Sequence, residues 1–133
     1  MTRYTIVFDG GSRGNPGPAY GSYHIRPWTT TKGITERLEF GRGTNNEAEY
    51  LSLIAALRAL HAFLAGMEQN PAAVELEIRG DSQLVMRQVA GRWKAKDARM
   101  MRLRDEAQQL AEPFRRVVYR EQPRQATVKL LGH

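Results

Sequence analysis

Residues 5–18 read TIVFDGGSRGNPGP, and the predicted fold begins with this stretch. Its first four residues are β-branched or aromatic, which is typical of a buried strand, and we predict that strand over residues 3–8. Asp9 comes next, although aspartate is disfavoured within strands, and a bend rich in glycine and proline follows it. The sequence therefore places a carboxylate where a strand ends, either as part of a turn or for its chemistry.

The remaining chain alternates between helix and strand patterns. Apolar residues recur at intervals of three and four from residue 46 to about residue 66, which predicts a helix with one apolar face, capped by Thr44 or Asn45. Further strands are predicted over residues 20–26, 34–41, 72–81 and 114–121, and further helices over 82–90 and 97–111, whereas the tail after Pro123 is weakly determined. This order predicts an α/β fold: a mixed five-stranded sheet flanked by helices, with strands one to three antiparallel and the later strands parallel.

Composition narrows the classes of function. The chain has 133 residues, 41% of them hydrophobic, which is enough for a single domain over residues 1–133. It has no cysteine, which excludes disulfides and thiolate metal sites. No apolar run approaches the roughly 18 residues of a membrane span, and the N-terminus lacks the apolar core of a signal peptide, so we expect a cytoplasmic protein. The net charge of +6 favours a polyanionic partner.

Three acidic residues stand where the pattern of strands and helices does not require them. Asp9 ends the first predicted strand, Asp81 ends the fourth, and Glu49 falls in the first turn of the long helix. Ligands of open α/β sheets bind at the carboxyl ends of the strands, so we expect the three carboxylates to meet there. Each also has a simpler explanation alone: an Asp-Gly turn, a cap before Ser82, or a favourable charge at a helix start.

Three carboxylates that close together would repel one another, and a divalent cation removes that cost. Mg²⁺ prefers carboxylate and water oxygens together with substrate phosphate. Two such ions about 3.5–4 Å apart activate a water and stabilise the leaving oxygen in phosphodiester cleavage. Asp9, Glu49 and Asp81 are therefore candidate ligands for Mg²⁺ or Mn²⁺.

Three longer segments carry a family resemblance: FDGGSRGNPGPAYGSY at 8–23, TNNEAEYLSLIAAL at 44–57 and IRGDSQLVMRQVAGRWKAK at 78–96. In order and spacing they resemble the signature segments of type 1 ribonuclease H, and more narrowly its bacterial and archaeal branch whose motif begins Asp-Gly-Gly. The resemblance extends over roughly residues 3–126. It implies a ribonuclease H-like fold and an endoribonuclease that cleaves the RNA strand of RNA/DNA hybrids by two-metal hydrolysis, leaving a 3′-hydroxyl and a 5′-phosphate.

The resemblance also implies roles for individual residues. Asp9, Glu49 and Asp81 fall on the catalytic, metal-binding carboxylates of the family. By the same resemblance, substrate contacts are expected at Gly10, Asn15, Asn45, Asn46, Ser82, Gln83, Trp93 and Lys94. Amides can hydrogen-bond 2′-hydroxyls and base edges, by which proteins tell RNA from DNA. The alternatives are that Asn15 serves only a turn and Asn45 only a helix cap.

The segment GRWKAK, residues 91–96, places Trp93 between basic residues. An aromatic ring there suits packing on a sugar or base while Lys94 and Lys96 contact phosphates, and the family holds the DNA strand in this region. The alternative is a surface tryptophan that covers a helix end. The chain lacks the long basic insertion that some relatives carry between helices, so we expect modest, strongly salt-dependent hybrid binding.

The C-terminal segment departs from the family pattern. The family supplies a fourth carboxylate in a segment resembling Arg-Glu-x-Asn-x-x-Ala-Asp, whereas REQPRQAT at 120–127 has Pro123 and Thr127 at the Asn and Asp positions. We expect the closing helix to be short or missing. Three accounts stay open: activity with three carboxylates and a preference for Mn²⁺, impaired catalysis, or a replacement group from Glu121 or His133.

Three functions are compatible with these features. The first is a monomeric hybrid-cleaving endoribonuclease that contacts no membrane. The second is a nucleic-acid-binding domain of the same fold with impaired catalysis, for which Thr127 is the motive. The third is a nuclease of the same fold with another substrate. A purely binding domain has no reason to keep three mutually repelling carboxylates, and the asparagine set favours hybrids as the substrate.

Overall fold

Five strands of the computed structural model, which describes residues 2–132, form one sheet in the order β3-β2-β1-β4-β5. The elements are β1 (Thr2–Ser12), β2 (Gly17–Pro27), β3 (Ile34–Gly43), α1 (Asn45–Gly66), β4 (Val74–Gly80), α2 (Gln83–Val89), α3 (Ala98–Ala111), β5 (Arg116–Glu121) and α4 (Arg124–Leu131). Strands β1, β2 and β3 pair antiparallel, and β4 pairs parallel with both β1 and β5. The predicted mixed α/β sheet is confirmed.

Helix α1 covers one face of the sheet and forms the core with it. This core includes fully buried side chains from α1 and from alternate positions of β1 and β4, among them Leu53, Leu57, Leu60, Leu64, Ile6, Phe8, Leu76 and Ile78. Each large aliphatic side chain stabilises the fold by about 1.5–3 kcal/mol when buried. This packing holds α1 in one position over β1, and with it every residue that α1 carries.

Helix α1 is also long and apolar enough to span a membrane by length and composition. Its most apolar window is 56% buried inside the fold, as expected of a helix at the centre of a core. The expectation that no segment approaches that length is therefore wrong by this criterion, although the apolar residues serve the packing against the sheet.

Helix α1 begins one residue before its predicted start, and one of the two predicted caps, Thr44, is confirmed. Thr44 is the N-cap in a capping box: its side chain accepts a hydrogen bond from the Glu47 amide, and Glu47 Oε1 accepts one from the Thr44 amide. The helix begins at Asn45, so with 3.6 residues per turn Glu49 lies in the second turn. The prediction of Glu49 in the first turn is wrong, and a role for it in countering the helix dipole loses its basis.

Strand β1 is longer than predicted and contains Asp9. Its pairing with β2 continues through the glycines, with Asp9 opposite Ser22 and Gly11 opposite Tyr20. Pairing with β4 stops earlier, at Val7. Asp9 does not end the strand, because the antiparallel partner carries the strand past it. It lies instead just beyond the last parallel pair.

The chain continues after Pro123 as α4, an eight-residue helix. Because Ile6 and Phe8 of β1 face α1, the alternate residues of that strand, Asp9 among them, face the opposite side of the sheet. Helix α4 packs against β1 and β2 and buries Thr127 and Leu131. The side chain of Arg124, at the start of α4, contacts Asp9.

Candidate active site

The three predicted carboxylates meet at one end of the sheet. Asp9 lies within β1, Glu49 on α1, and Asp81 directly after β4. One oxygen of each lies within 4.8 Å of the corresponding oxygens of the other two. The fold thus brings together residues that are 40 and 32 positions apart along the chain.

Glu49 reaches this cluster because Gly10 has no side chain. A Cβ atom at Gly10 would lie 2.3 Å from the carbonyl carbon and oxygen of Ala48 and 2.6 Å from the Glu49 nitrogen. The backbone of α1 therefore touches the backbone of β1 at this point, an approach that only glycine permits. The Gly10 amide also donates a hydrogen bond to Glu49 Oε1 at 3.1 Å. The glycine after Asp9 is thus required by the docking of α1.

Burial makes the cluster electrostatically unfavourable without a cation. Asp9 is 1% exposed and Glu49 is 6% exposed. Burial raises the pKa of Glu49 well above its ordinary value, the adjacent Asp9 raises it further, and the Gly10 amide lowers it in part.

An unsatisfied oxygen in the cluster fits a metal ligand set. Glu49 Oε2 is buried and accepts no hydrogen bond within the described part of the chain. A buried acceptor left without a donor costs about 1–3 kcal/mol. A divalent cation would satisfy it and offset the repulsion among the three carboxylates, and carboxylate oxygens are the ligands that Mg²⁺ and Mn²⁺ prefer. The donor set therefore fits such an ion.

Arg124 is a fourth member of the cluster, and its role there was not predicted from the sequence. Its Nη1 donates hydrogen bonds to Asp9 Oδ2 at 2.8 Å and to Asp81 Oδ2 at 3.0 Å. The contact joins residues 115 positions apart and exists because α4 docks on the face of β1 that carries Asp9. No local pattern in the sequence indicates it.

Thr127, at the position of the expected fourth carboxylate, is fully buried. Its hydroxyl oxygen accepts a hydrogen bond from Gln122 Nε2 at 2.9 Å. Glu121, one suggested replacement, pairs with Arg87 at 3.2 Å and is not part of the acidic cluster found among residues 2–132. His133, the other suggestion, lies outside the described residues.

The predicted asparagines lie where the bend between β1 and β2 meets the start of α1. Asn15 Oδ1 accepts a hydrogen bond from the backbone N–H of Asn45 at 3.1 Å, and Asn45 Oδ1 accepts one from the backbone N–H of Ser12 at 2.8 Å. Asn46 is exposed beside them. The alternative that Asn45 serves only as a helix cap is wrong, because Thr44 is the N-cap and the Asn45 side chain ties the start of α1 to β1. Contact of these three residues with a substrate stays a prediction, as it does for Gly10.

Ser82 and Gln83 begin α2 directly after Asp81. Ser82 is the N-cap, and its hydroxyl oxygen accepts a hydrogen bond from the Val85 amide at 3.3 Å. Gln83 is exposed. When its side-chain amide is oriented with the oxygen toward Arg87, that oxygen accepts a hydrogen bond from the Arg87 guanidinium at 2.7 Å. The short connection between β4 and α2 thus holds Asp81 in place.

Trp93 and Lys94 line a separate groove beyond α2. Trp93 is 41% exposed, and the Arg87 guanidinium lies over its ring, 4.8 Å from the centroid. The groove has a volume of about 620 Å³, and its lining includes Gln88, Arg92, Trp93, Lys94, Lys96 and Met100. Its basic and aromatic lining suits a phosphate backbone. The stacking of Arg87 on Trp93 was not predicted, although both residues lie in one short segment of the sequence.

Comparison with known proteins finds one matching family model and several similar proteins. The family model described as RNase H matches residues 1–129. The ribonuclease HI of Halobacterium salinarum is 42% identical over 117 residues, which cover 84% of this chain and 52% of that protein. A bifunctional protein of Mycobacterium tuberculosis is 42% identical over 125 residues, which cover 92% of this chain and 32% of that protein. The chain thus spans about half or less of the length of these relatives.

A solved structure shares the fold. LC11-RNase H1 in complex with an RNA/DNA hybrid matches with a TM-score of 0.83 at 30% identity, over 95% of this chain and 89% of that one. Because the family model covers nearly the whole chain and the fold matches that of a solved RNase H1, the chain belongs to the RNase H family.

Proposed function

We propose that the chain is a metal-dependent endoribonuclease that hydrolyses the RNA strand of RNA/DNA hybrids and leaves 3′-hydroxyl and 5′-phosphate ends. The observation that carries this proposal is the cluster of Asp9, Glu49 and Asp81 at the end of the parallel part of the sheet. Family membership and the hybrid in the LC11-RNase H1 structure support the substrate class.

The three carboxylates are the residues that would hold the metal. Two Mg²⁺ or Mn²⁺ ions bound there together with a substrate phosphate would activate a water and neutralise charge on the leaving oxygen. Asp9 and Glu49 are almost completely buried, so their oxygens are held on rigid elements and kept from bulk water. The Gly10 amide orients Glu49 by its hydrogen bond, which leaves the second oxygen of Glu49 for a ligand.

Two surfaces outside the carboxylate cluster are suited to the two strands of a hybrid. The asparagines at the start of α1 can donate and accept hydrogen bonds, which suits the 2′-hydroxyls and base edges of the RNA strand. The groove around Trp93 offers an exposed ring together with Arg92, Lys94 and Lys96, which suits the sugars and phosphates of the DNA strand. We propose that the hybrid lies across both surfaces, with the scissile phosphate at the carboxylates.

The neutral residue at position 127 affects which metal ion we expect to support the reaction. Thr127 cannot supply the charge of a fourth carboxylate, so we propose that three carboxylates suffice and that Mn²⁺ supports the reaction better than Mg²⁺. We further propose that the protein acts as a monomer in the cytoplasm.

A second candidate function is hybrid binding with impaired catalysis. The specific observations in its favour are the hydroxyl of Thr127 in place of a carboxylate and the Arg124 guanidinium within the acidic cluster. Both reduce the negative charge available to a metal.

The test is cleavage of a hybrid with end-labelled RNA, in Mg²⁺ and separately in Mn²⁺. Asp81→Asn is the control, since it keeps the size of the side chain and removes one ligand charge. We expect internal cuts in the RNA strand with the wild type, faster in Mn²⁺, and none with the folded control. Hybrid binding without cleavage in either metal would refute the enzyme and favour the second candidate. Equal cleavage by Asp81→Asn would remove Asp81 from the mechanism.

A further inference from the structure

The position of Arg124 relative to the carboxylates has a consequence for metal binding. Its Nη1 lies within 3.0 Å of one oxygen of Asp9 and one oxygen of Asp81, two of the three residues that would hold a metal. The guanidinium thus supplies positive charge between two carboxylates that would otherwise repel each other. The protein contains its own cation at the metal site.

We propose that Arg124 is a displaceable cation: it neutralises the cluster when no metal is bound, leaves when a divalent ion binds Asp9 and Asp81, and so sets the metal concentration that the protein requires. The inference rests on the proposed function in one respect, since it takes the three carboxylates as the metal site.

Competition follows from the shared oxygens. A metal ion that binds Asp9 and Asp81 requires their oxygens at about 2.0–2.1 Å for Mg²⁺. A guanidinium hydrogen-bonded to the same two residues repels that ion and occupies lone pairs that it would use. The metal ion and the Arg124 guanidinium therefore bind with negative coupling, and each weakens the binding of the other by the same factor.

The structure allows Arg124 to leave at little cost to the fold. Its side chain is 56% exposed, so the guanidinium can turn into solvent. It is the first residue of α4, and the N-cap, Pro123, provides no side-chain hydrogen bond to that turn. The buried residues Thr127 and Leu131 hold the rest of the helix against the sheet. Release of Arg124 therefore requires movement of one side chain or one helical turn.

The experiment is calorimetric titration of the metal-free protein with Mn²⁺ and with Mg²⁺. If the guanidinium-bound arrangement is favoured about ten to one, its removal in Arg124→Gln tightens the apparent metal affinity about tenfold. Arg124→Lys keeps the charge and is expected to bind metal about as the wild type does. Arg120→Gln is the matched control, because it removes an equal charge from an exposed arginine that pairs with Glu77 instead. We expect its metal affinity to be unchanged.

A second measurement observes the displacement itself. The Nε–Hε NMR signal that Arg124→Lys lacks identifies Arg124 in the wild type. During a Mg²⁺ titration this signal is expected to shift over the same concentration range as the calorimetric binding. A signal that stays unchanged while Mg²⁺ saturates the protein would mean that Arg124 remains in place, and it would overturn the proposal.

The affinities separate this proposal from the proposed function. Equal or weaker metal binding by Arg124→Gln, or equal tightening by Arg120→Gln, would overturn the role of Arg124 while leaving the nuclease proposal intact. Absence of metal binding in both the wild type and Arg124→Gln would overturn the role of Arg124 and the metal site together. Loss of hybrid cleavage with the predicted order of affinities would contradict only the nuclease.

Discussion

Replacement of Gly10 by alanine tests the contact that places Glu49 beside Asp9. The added Cβ would lie 2.3 Å from two backbone atoms of Ala48 and 2.6 Å from the Glu49 nitrogen, where ordinary contacts are 3.4–4 Å. Backbone atoms cannot rotate away as a side chain can. The start of α1 must therefore move from β1 by about 1 Å, and the repair of such overpacking costs about 1–3 kcal/mol.

The same movement weakens the hydrogen bond from the Gly10 amide to Glu49 Oε1. Hydrogen bonds to charged groups contribute about 1.5–3 kcal/mol, of which we expect part to be lost. Gly10→Ala should thus lower the free energy of unfolding by about 2–4 kcal/mol. It should also weaken Mn²⁺ binding, because Glu49 moves away from Asp9 while the buried leucines hold the rest of α1.

Gly66→Ala is the control for this experiment. Gly66 is the last residue of α1, and a Cβ there meets no atom within 4 Å. Because alanine favours helix over glycine, we expect stability to stay equal or rise by up to about 1 kcal/mol, with unchanged metal affinity. Urea unfolding followed by circular dichroism and Mn²⁺ calorimetry measure both properties. If Gly10→Ala matched the wild type in stability and affinity, the close approach of α1 and β1 would not determine the site.

Three further predictions concern other parts of the molecule. Burial raises the pKa of Glu77, but hydrogen bonds from Arg79 and Thr5 and the charges of Arg79 and Arg3 together outweigh burial, so the pKa lies below its ordinary value. The contribution of Glu77 to stability is therefore lost as the pH falls through the folded-state pKa, and Glu77→Gln should destabilise at pH 7 and progressively less as the solution is acidified, measured by urea unfolding. Trp93→Ala should weaken hybrid binding by about 1–3 kcal/mol with little change in kcat, measured by titration and steady-state kinetics; unchanged affinity would leave Trp93 a structural role only. Thr127→Asp should raise cleavage in Mg²⁺ relative to Thr127→Asn, and equal rates would show that this side chain does not reach the site.

Much of the fold was predictable because local patterns encode it. The spacing of apolar residues predicted α1 to within one residue at its start, and the alternating segments predicted all five strands. The order of strands and helices predicted the mixed sheet. The weakest prediction was the tail after Pro123, because α4 has only eight residues and no side-chain cap. Helices that short depend on tertiary packing for their stability.

Part of the candidate site could likewise be predicted from the sequence, and part could not. The types of residue in the acidic cluster, and the short connection in which Asp81 follows β4, are visible in the sequence. The distances among them are not, since they depend on the approach of α1 to β1 at Gly10, a contact 39 positions apart. The prediction that Asp9 ends its strand was wrong because pairing with β2, which has its own register, carries β1 onward.

Sequence alone determined the class of fold, the order of its elements as far as β5 and the three carboxylates, since each depends on residue type and short-range spacing. Tertiary structure alone decided that Arg124 donates hydrogen bonds to Asp9 and Asp81. It also decided that Glu121 forms an ion pair with Arg87 and does not join the acidic cluster of the described residues. The physical reason is the range of the interaction. Which guanidinium reaches which carboxylate depends on how α4 and β5 pack against the sheet, and the sequence near either partner carries no record of that packing.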